Sequence, residues 1–220
     1  MAGIVGTALV LVDDTPLPPE WNPTVPLQVE HDLSPLTSWK LANAERSLES
    51  CVAALADGAV PRDDFEVSAN CHIRDRVNLQ TVGASDIADV ETTCSIALRM
   101  AMWEQHGLQP AAREILNTDL TRIDQIGSYN CRQMRTTSGN SARWSTHATA
   151  SAIDISGFRF ADGTRLRLID DWNGAPAAAA FLRRARDTSC DWFRLTLSPD
   201  YNRLHADHFH LQSAGWGLCR

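Results

Sequence analysis

Two short stretches hold the residues whose types and spacing can do chemistry. One runs from Ser145 to Asp154 and contains His147. The other is His205-Ala206-Asp207-His208-Phe209-His210. Four of the seven histidines fall within them, so imidazole is concentrated where carboxylate is also at hand. These are ligand types of a catalytic zinc, which keeps three protein ligands and one open position. The pattern predicts a Zn2+ site built from His147, Asp154 and His210. A metal there acidifies a water and polarises a carbonyl, and a nearby base must then take and return a proton. His208, two residues from a ligand, is the candidate base, with His205 as its support.

The elements that would position these groups are strands. Ala152-Ile153-Asp154-Ile155-Ser156 alternates small or polar with β-branched apolar, as a strand with one buried face does. Successive side chains point to opposite faces, which places Ile153 and Ile155 in the core and Asp154 outside it. Phe209 and Leu211 share one face of the second stretch, and His208 and His210 the other. Neighbouring strands lie about 4.8 Å apart, close enough to bring Asp154 against His210. His147 would arrive from the loop feeding the first strand.

The remainder of the chain is expected to form an α+β fold, with helices mainly N-terminal and an antiparallel sheet carrying the zinc site. Residues 1–36 are read as an N-terminal segment and Pro-rich strap, anchored by Trp21 and Leu27, and 37–220 as a single domain. Helices are expected from Thr37 to Leu55, closed by Gly58, then from Asp86 to His106, closed by Gly107, and from Pro110 to Asn117, continued by Ile123–Ile126. Strands are expected within 64–82, over Gln125–Met134, and over 152–160 and 165–171, joined by a hairpin turn at Asp162-Gly163. Thr136–Ala142 reads as a polar loop. Ala175–Arg186 reads as a helix with Pro176 in its first turn, and 207–212 as the last strand.

Composition bounds the partners. Hydrophobic content of 44% with 21% charged residues is that of a globular chain. A net charge of -7 argues against nucleic acid, which selects a basic face. Cys51, Cys71, Cys94, Cys131, Cys190 and Cys219 include no C-x-x-C pair, so a cysteine zinc site is not expected. They are read as up to three disulfides in an oxidising compartment, with the pairing left open; the alternative is six reduced, buried thiols. Ala2–Val12 is apolar but too short to span a bilayer. It is read as the remnant of an export signal or membrane anchor starting outside this chain, or else as a packed terminal segment.

Ser145-x-His147 with Ala152-x-Asp154 resembles the Ser-x-His-x-x-Gly-x-Ala-x-Asp signature of the LAS zinc peptidases, which include D-Ala-D-Ala peptidases and the hedgehog signalling domain. His205-x-x-His208-x-His210 looks like the pattern of the penicillin-insensitive murein endopeptidases among them. Trp21-Asn22-Pro23, Gly127-Ser128-Tyr129-Asn130-Cys131-Arg132, Asp171-Trp172, Tyr201-Asn202 and His205–His210 resemble the bacterial extensin-like C-terminal domain family across nearly the whole chain after Pro19. Two positions depart from the wider signature. Ala150 stands where it has Gly, and Asp207 stands where the D-Ala-D-Ala branch has Glu. His208 is preferred to Asp207 as the base, because 207 has the opposite strand parity to 210.

The resemblance implies a hedgehog/DD-peptidase-like fold in the periplasm or cell envelope. It implies zinc-dependent hydrolysis of an amide bond in a peptidoglycan peptide. Arg132 falls where related enzymes keep an arginine, to stabilise an oxyanion or hold a carboxylate; Arg135 is the alternative, and a plain surface role for Arg132 stays open. The second expectation is a non-catalytic, zinc-containing envelope module that binds wall peptide or a protein partner. Trp144 lines the cleft or packs, with packing favoured.

Overall fold

Residues 17–220 are described by a computed structural model. The apolar run Ala2–Val12 lies outside the described residues. In chain order the strands are β1 (Ala59–Pro61), β2 (Phe65–Ser68), β3 (Cys71–Ile73), β4 (Arg76–Val82), β5 (Ser85–Thr93), β6 (Leu120–Gly127), β7 (Gln133–Thr136), β8 (Gly139–Trp144), β9 (Ala152–Phe160), β10 (Arg165–Arg167), β11 (Leu195–Leu197), β12 (Phe209–Gln212) and β13 (Leu218–Cys219). The helices are α1 (Thr37–Ala44), α2 (Leu48–Leu55), α3 (Cys94–Trp103), α4 (Leu168–Asp171) and α5 (Pro176–Trp192). The fold is α+β.

A nine-stranded sheet runs in the order β1-β4-β5-β6-β9-β12-β11-β13, with β10 also on β9. It is mixed rather than purely antiparallel: β5 pairs β6 and β11 pairs β13 in parallel. A parallel pair needs a long crossover, and the helical run from Cys94 to Leu116 supplies one between β5 and β6.

That crossover corrects two expectations. Asp86–Thr93 is strand, not helix, because Ile87, Val90 and Thr92 face inward between exposed Asp86, Asp89 and Glu91. The helix begins only after Thr93, whose side chain caps Ile96 N–H. Gly107 does not close it. The run passes through wide π turns at Glu104–Leu108 and Ala112–Leu116 and ends at Asn117, with φ 53°. Gly107 serves close approach instead: a Cβ there would lie 2.8 Å from Thr188 Oγ1 on α5.

Other boundaries move too. α1 and α2 are separate helices, since Ser47 opens the second by accepting from Ser50 N–H. Ile123–Ile126 belongs to β6, not a helix, and 128–132 is loop rather than strand. Thr136–Ala142 lies largely in the β7–β8 hairpin. The Asp162-Gly163 turn stands, with Gly163 at φ 87°, but the strand after it yields to α4 at Leu168.

The core centres on Trp103, fully buried, with Phe158, Phe193 and Phe209 edge-on at 6.1, 6.1 and 6.5 Å. Phe158 belongs to β9 and Phe209 to β12, so one indole braces both site-bearing strands from behind. Truncating such a residue costs about 3–5 kcal/mol. The strap docks through buried Leu27 and Val29 and through Lys40 Nζ, which donates to Pro19 O at 2.6 Å. Trp21, expected as an anchor, is about half exposed. Disulfides join Cys51–Cys94, Cys71–Cys131 and Cys190–Cys219, each contributing about 2–4 kcal/mol.

Candidate metal centre

β12 lies antiparallel to β9 with His210 directly opposite Asp154. Phe209 and Leu211 are fully buried on the other face, so the register holds both polar side chains toward one side. His147 sits on a short 3-10 turn, Thr146–Thr149, just before β9. Ser145 opens that turn by accepting from His147 N–H at 3.3 Å. Ala150 closes it in the left-handed region, φ 48° and ψ 26°. That conformation suits glycine and costs other residues about 1–2 kcal/mol.

The three side chains converge. His210 Nδ1 is 2.8 Å from Asp154 Oδ1. His147 Nε2 is 3.1 Å from His210 Nδ1 and 3.2 Å from Asp154 Oδ2. One ligand atom from each lies within 4.8 Å of the others, a group able to hold a metal ion. Donors about 2.0–2.1 Å from a tetrahedral ion stand about 3.3 Å apart, close to the spacing found.

Proton positions favour the same reading. His147 Nδ1–H donates to Ser128 O at 2.7 Å, which leaves Nε2 with a lone pair aimed at the centre. A backbone carbonyl in this role is a common way to orient a metal-binding imidazole. Without a cation, the single Nδ1 proton of His210 must serve both His147 and Asp154. Gln212 Nε2–H donates to His210 Nε2 at 2.6 Å. An ion on Nδ1 would shift the ring proton to Nε2, and the Gln212 amide would have to turn its Oε1 toward it.

The electrostatics agree. Burial acts to raise the Asp154 pKa, but the neighbouring imidazoles of His147 and His210 outweigh it and hold the carboxyl well below its usual range. Burial pushes His210 down, partly opposed by Asp154.

His208 stands just ahead of β12, with Nε2 3.7 Å from Asp154 Oδ1. Its Nδ1–H donates to Asp207 Oδ1 at 2.8 Å. Strand parity does not apply to Asp207, because β12 begins only at Phe209; this carboxylate is the residue that sequence reasoning set aside. His205 lies on the turn Arg203–His205, its ring 5.2 Å from that of His208 and 5.8 Å from that of His210. Its Nδ1–H donates to Asn202 Oδ1 at 2.9 Å. Burial, followed by the charges of His208 and His210, pushes its pKa down to about 4. Asn202 and Ser128 enter the sequence reading only inside family-like motifs, without a role, and Gln212 does not enter it. The three-residue step from Asn202 to His205 and the two-residue step from His210 to Gln212 are the signals that point to the first and last.

Arg132 occupies the loop between β6 and β7, tied to the His147 turn by Ser145 N–H donating to Arg132 O at 3.1 Å. Its guanidinium is half-buried and near enough to feel the Asp154 charge. Burial and then Arg135 lower its pKa, while Asp154 raises it. Arg135 is exposed on β7. Trp144, expected to pack, is 42% exposed instead.

The family model for the extensin-like protein C-terminus matches residues 49–220, and the chain belongs to that family. No curated protein matches the chain, and no solved structure does.

Proposed function

We propose that this chain is a zinc-dependent peptidase of the bacterial cell envelope, related to the LAS zinc peptidases, that hydrolyses an amide bond in stem or cross-link peptides of peptidoglycan. The observation that carries the reading is His208, anchored on one ring nitrogen by Asp207 and directed with the other toward the cluster of His147, Asp154 and His210. A lone metal-binding cluster needs no such neighbour; a hydrolytic site does.

His147 Nε2, His210 Nδ1 and Asp154 would hold the ion. Bound there, zinc supplies Lewis-acid polarisation of a carbonyl and a more acidic water. His208 takes the proton of the attacking water on Nε2 and returns it to the leaving nitrogen. Asp207 fixes the tautomer and stabilises the imidazolium that forms. His205, uncharged near neutrality, supports His208 without competing for the proton. Arg132 adds positive charge where the carbonyl oxygen gains negative charge. The three disulfides are compatible with an exported protein in an oxidising compartment.

The test is digestion of purified peptidoglycan by the wild-type protein and by His208→Ala, with the zinc content of both measured. Cleavage by the first, and its loss in a variant that retains zinc, is the expected result. Failure of both to cleave supports instead an envelope module that binds wall peptide or a protein partner.

A further inference from the structure

Two strands share one edge of β9 end to end. β12 covers Ala152–Ile155, and β10 takes over at Gly157, opposite Arg167. At the junction lies a groove of about 390 Å3, lined by Ile126, Ser156, Arg165, Arg167, Ile169 and Asp207. It reaches the candidate centre by two routes. Ser156 is the same-face neighbour of Asp154, and Asp207 is the anchor of His208.

The lining carries charge of both signs. Arg165 and Arg167 have side chains 55% and 56% exposed. Asp124, the partner of Arg165 at 3.5 Å, is also held by Arg159 at 2.9 Å and Arg122 at 3.2 Å. Three guanidinium groups on one carboxylate leave positive charge unbalanced, on a chain whose net charge is -7. Arg167 spends one edge of its fork on Asp170 at 2.8 Å and keeps further N–H donors for a second anion. Asp207 adds a carboxylate to the same lining. Ile126 and Ile169, 57% and 51% exposed, offer apolar surface along the groove.

We infer that this groove is a subsite for a carboxylate-bearing peptide, whose free carboxylate is held by Arg165 and Arg167. The inference rests on the peptidase reading and names what lies beside the bond that is acted on. A backbone N–H or ammonium faces Asp207, small alkyl side chains rest on Ile126 and Ile169, and the carboxylate meets the arginine pair. Arg167 is paired opposite Gly157, about 10 Å along the strand from Asp154. Extended peptide spans about 3.3–3.6 Å per residue, so the carboxylate lies about two to three residues from the candidate centre.

The test uses a stem tetrapeptide with its carboxylates free and the same peptide with them amidated, each titrated calorimetrically into the zinc-treated protein and scored separately for cleavage. The wild-type protein binds the free acid at least about tenfold more tightly. Arg165→Ala/Arg167→Ala binds both peptides as weakly as the wild type binds the amide, and Arg167→Glu weakens the acid further. Asp124 keeps Arg122 and Arg159 in these variants, so the sheet retains its local ion pairs. Equal binding of acid and amide by the wild type, binding of neither, or a preference that survives in the double variant overturns the subsite. Cleavage of both peptides at one rate with equal binding overturns the subsite and keeps the peptidase. Preference for the acid without any cleavage does the reverse.

Discussion

His208 faces Asp154 across 3.7 Å with one ring nitrogen while the other is fixed at 2.8 Å by Asp207. The histidine is thus held in one tautomer, with a lone pair directed at the cluster. Replacing Asp207 with Asn should leave zinc in place and lower kcat by about 10–100-fold, because the amide no longer stabilises a protonated ring. Parallel measurement of zinc content and peptidoglycan cleavage checks this. Unchanged turnover would remove Asp207 from the mechanism.

The disulfide Cys71–Cys131 should matter to the site as well as to stability. Cys131 lies in the loop where Ser128 O orients His147 and where Asn130 N–H donates to His147 O at 2.9 Å. Cys71→Ser/Cys131→Ser should cost about 2–5 kcal/mol in denaturant unfolding and weaken zinc binding. Cys51→Ser/Cys94→Ser, whose bridge ties α2 to α3, should cost comparable stability and spare zinc affinity. Equal affinity in both double variants would show that the loop holds His147 without its bridge.

The buried carboxyl of Glu104 predicts a pH dependence remote from the site. It accepts from Ser85 Oγ at 2.8 Å and Gln109 Nε2 at 2.7 Å. Burial raises its pKa above the ordinary 4.5, against the lowering effect of those hydrogen bonds. A carboxyl whose pKa is higher folded than unfolded stabilises the fold fully below its ordinary value. That contribution is lost as pH rises through the raised pKa, with a slope of at most about 1.4 kcal/mol per pH unit. Glu104→Gln should flatten the slope in denaturant titrations between pH 4 and the raised value. An unchanged slope would assign it to another group.

The polar face of β9 and β12 is readable from the chain because strand alternation leaves Asp154 and His210 only one side to occupy once Ile153, Ile155, Phe209 and Leu211 are buried. β5 is less readable. Ile87, Val90 and Cys94 fall at helical spacing, and an irregularity in the β4–β5 register between Asp86 and Val90 breaks the strand alternation that would have shown otherwise. Long-range pairing with β4 and β6 makes the segment a strand. Asp207 misleads by its proximity to a strand it does not join. The left-handed backbone of Ala150, at φ 48°, is not legible, because an alanine carries no signal for that region. Disulfide pairing depends on which loops meet in space, which spacing does not encode.

The most direct test is the zinc stoichiometry of the purified protein after equilibration with zinc and removal of free metal. One tightly held ion per chain is expected, lost in Asp154→Ala and in His147→Ala but retained in His208→Ala. A wild-type protein that binds no zinc, or that binds it equally without Asp154 and His147, would contradict the account.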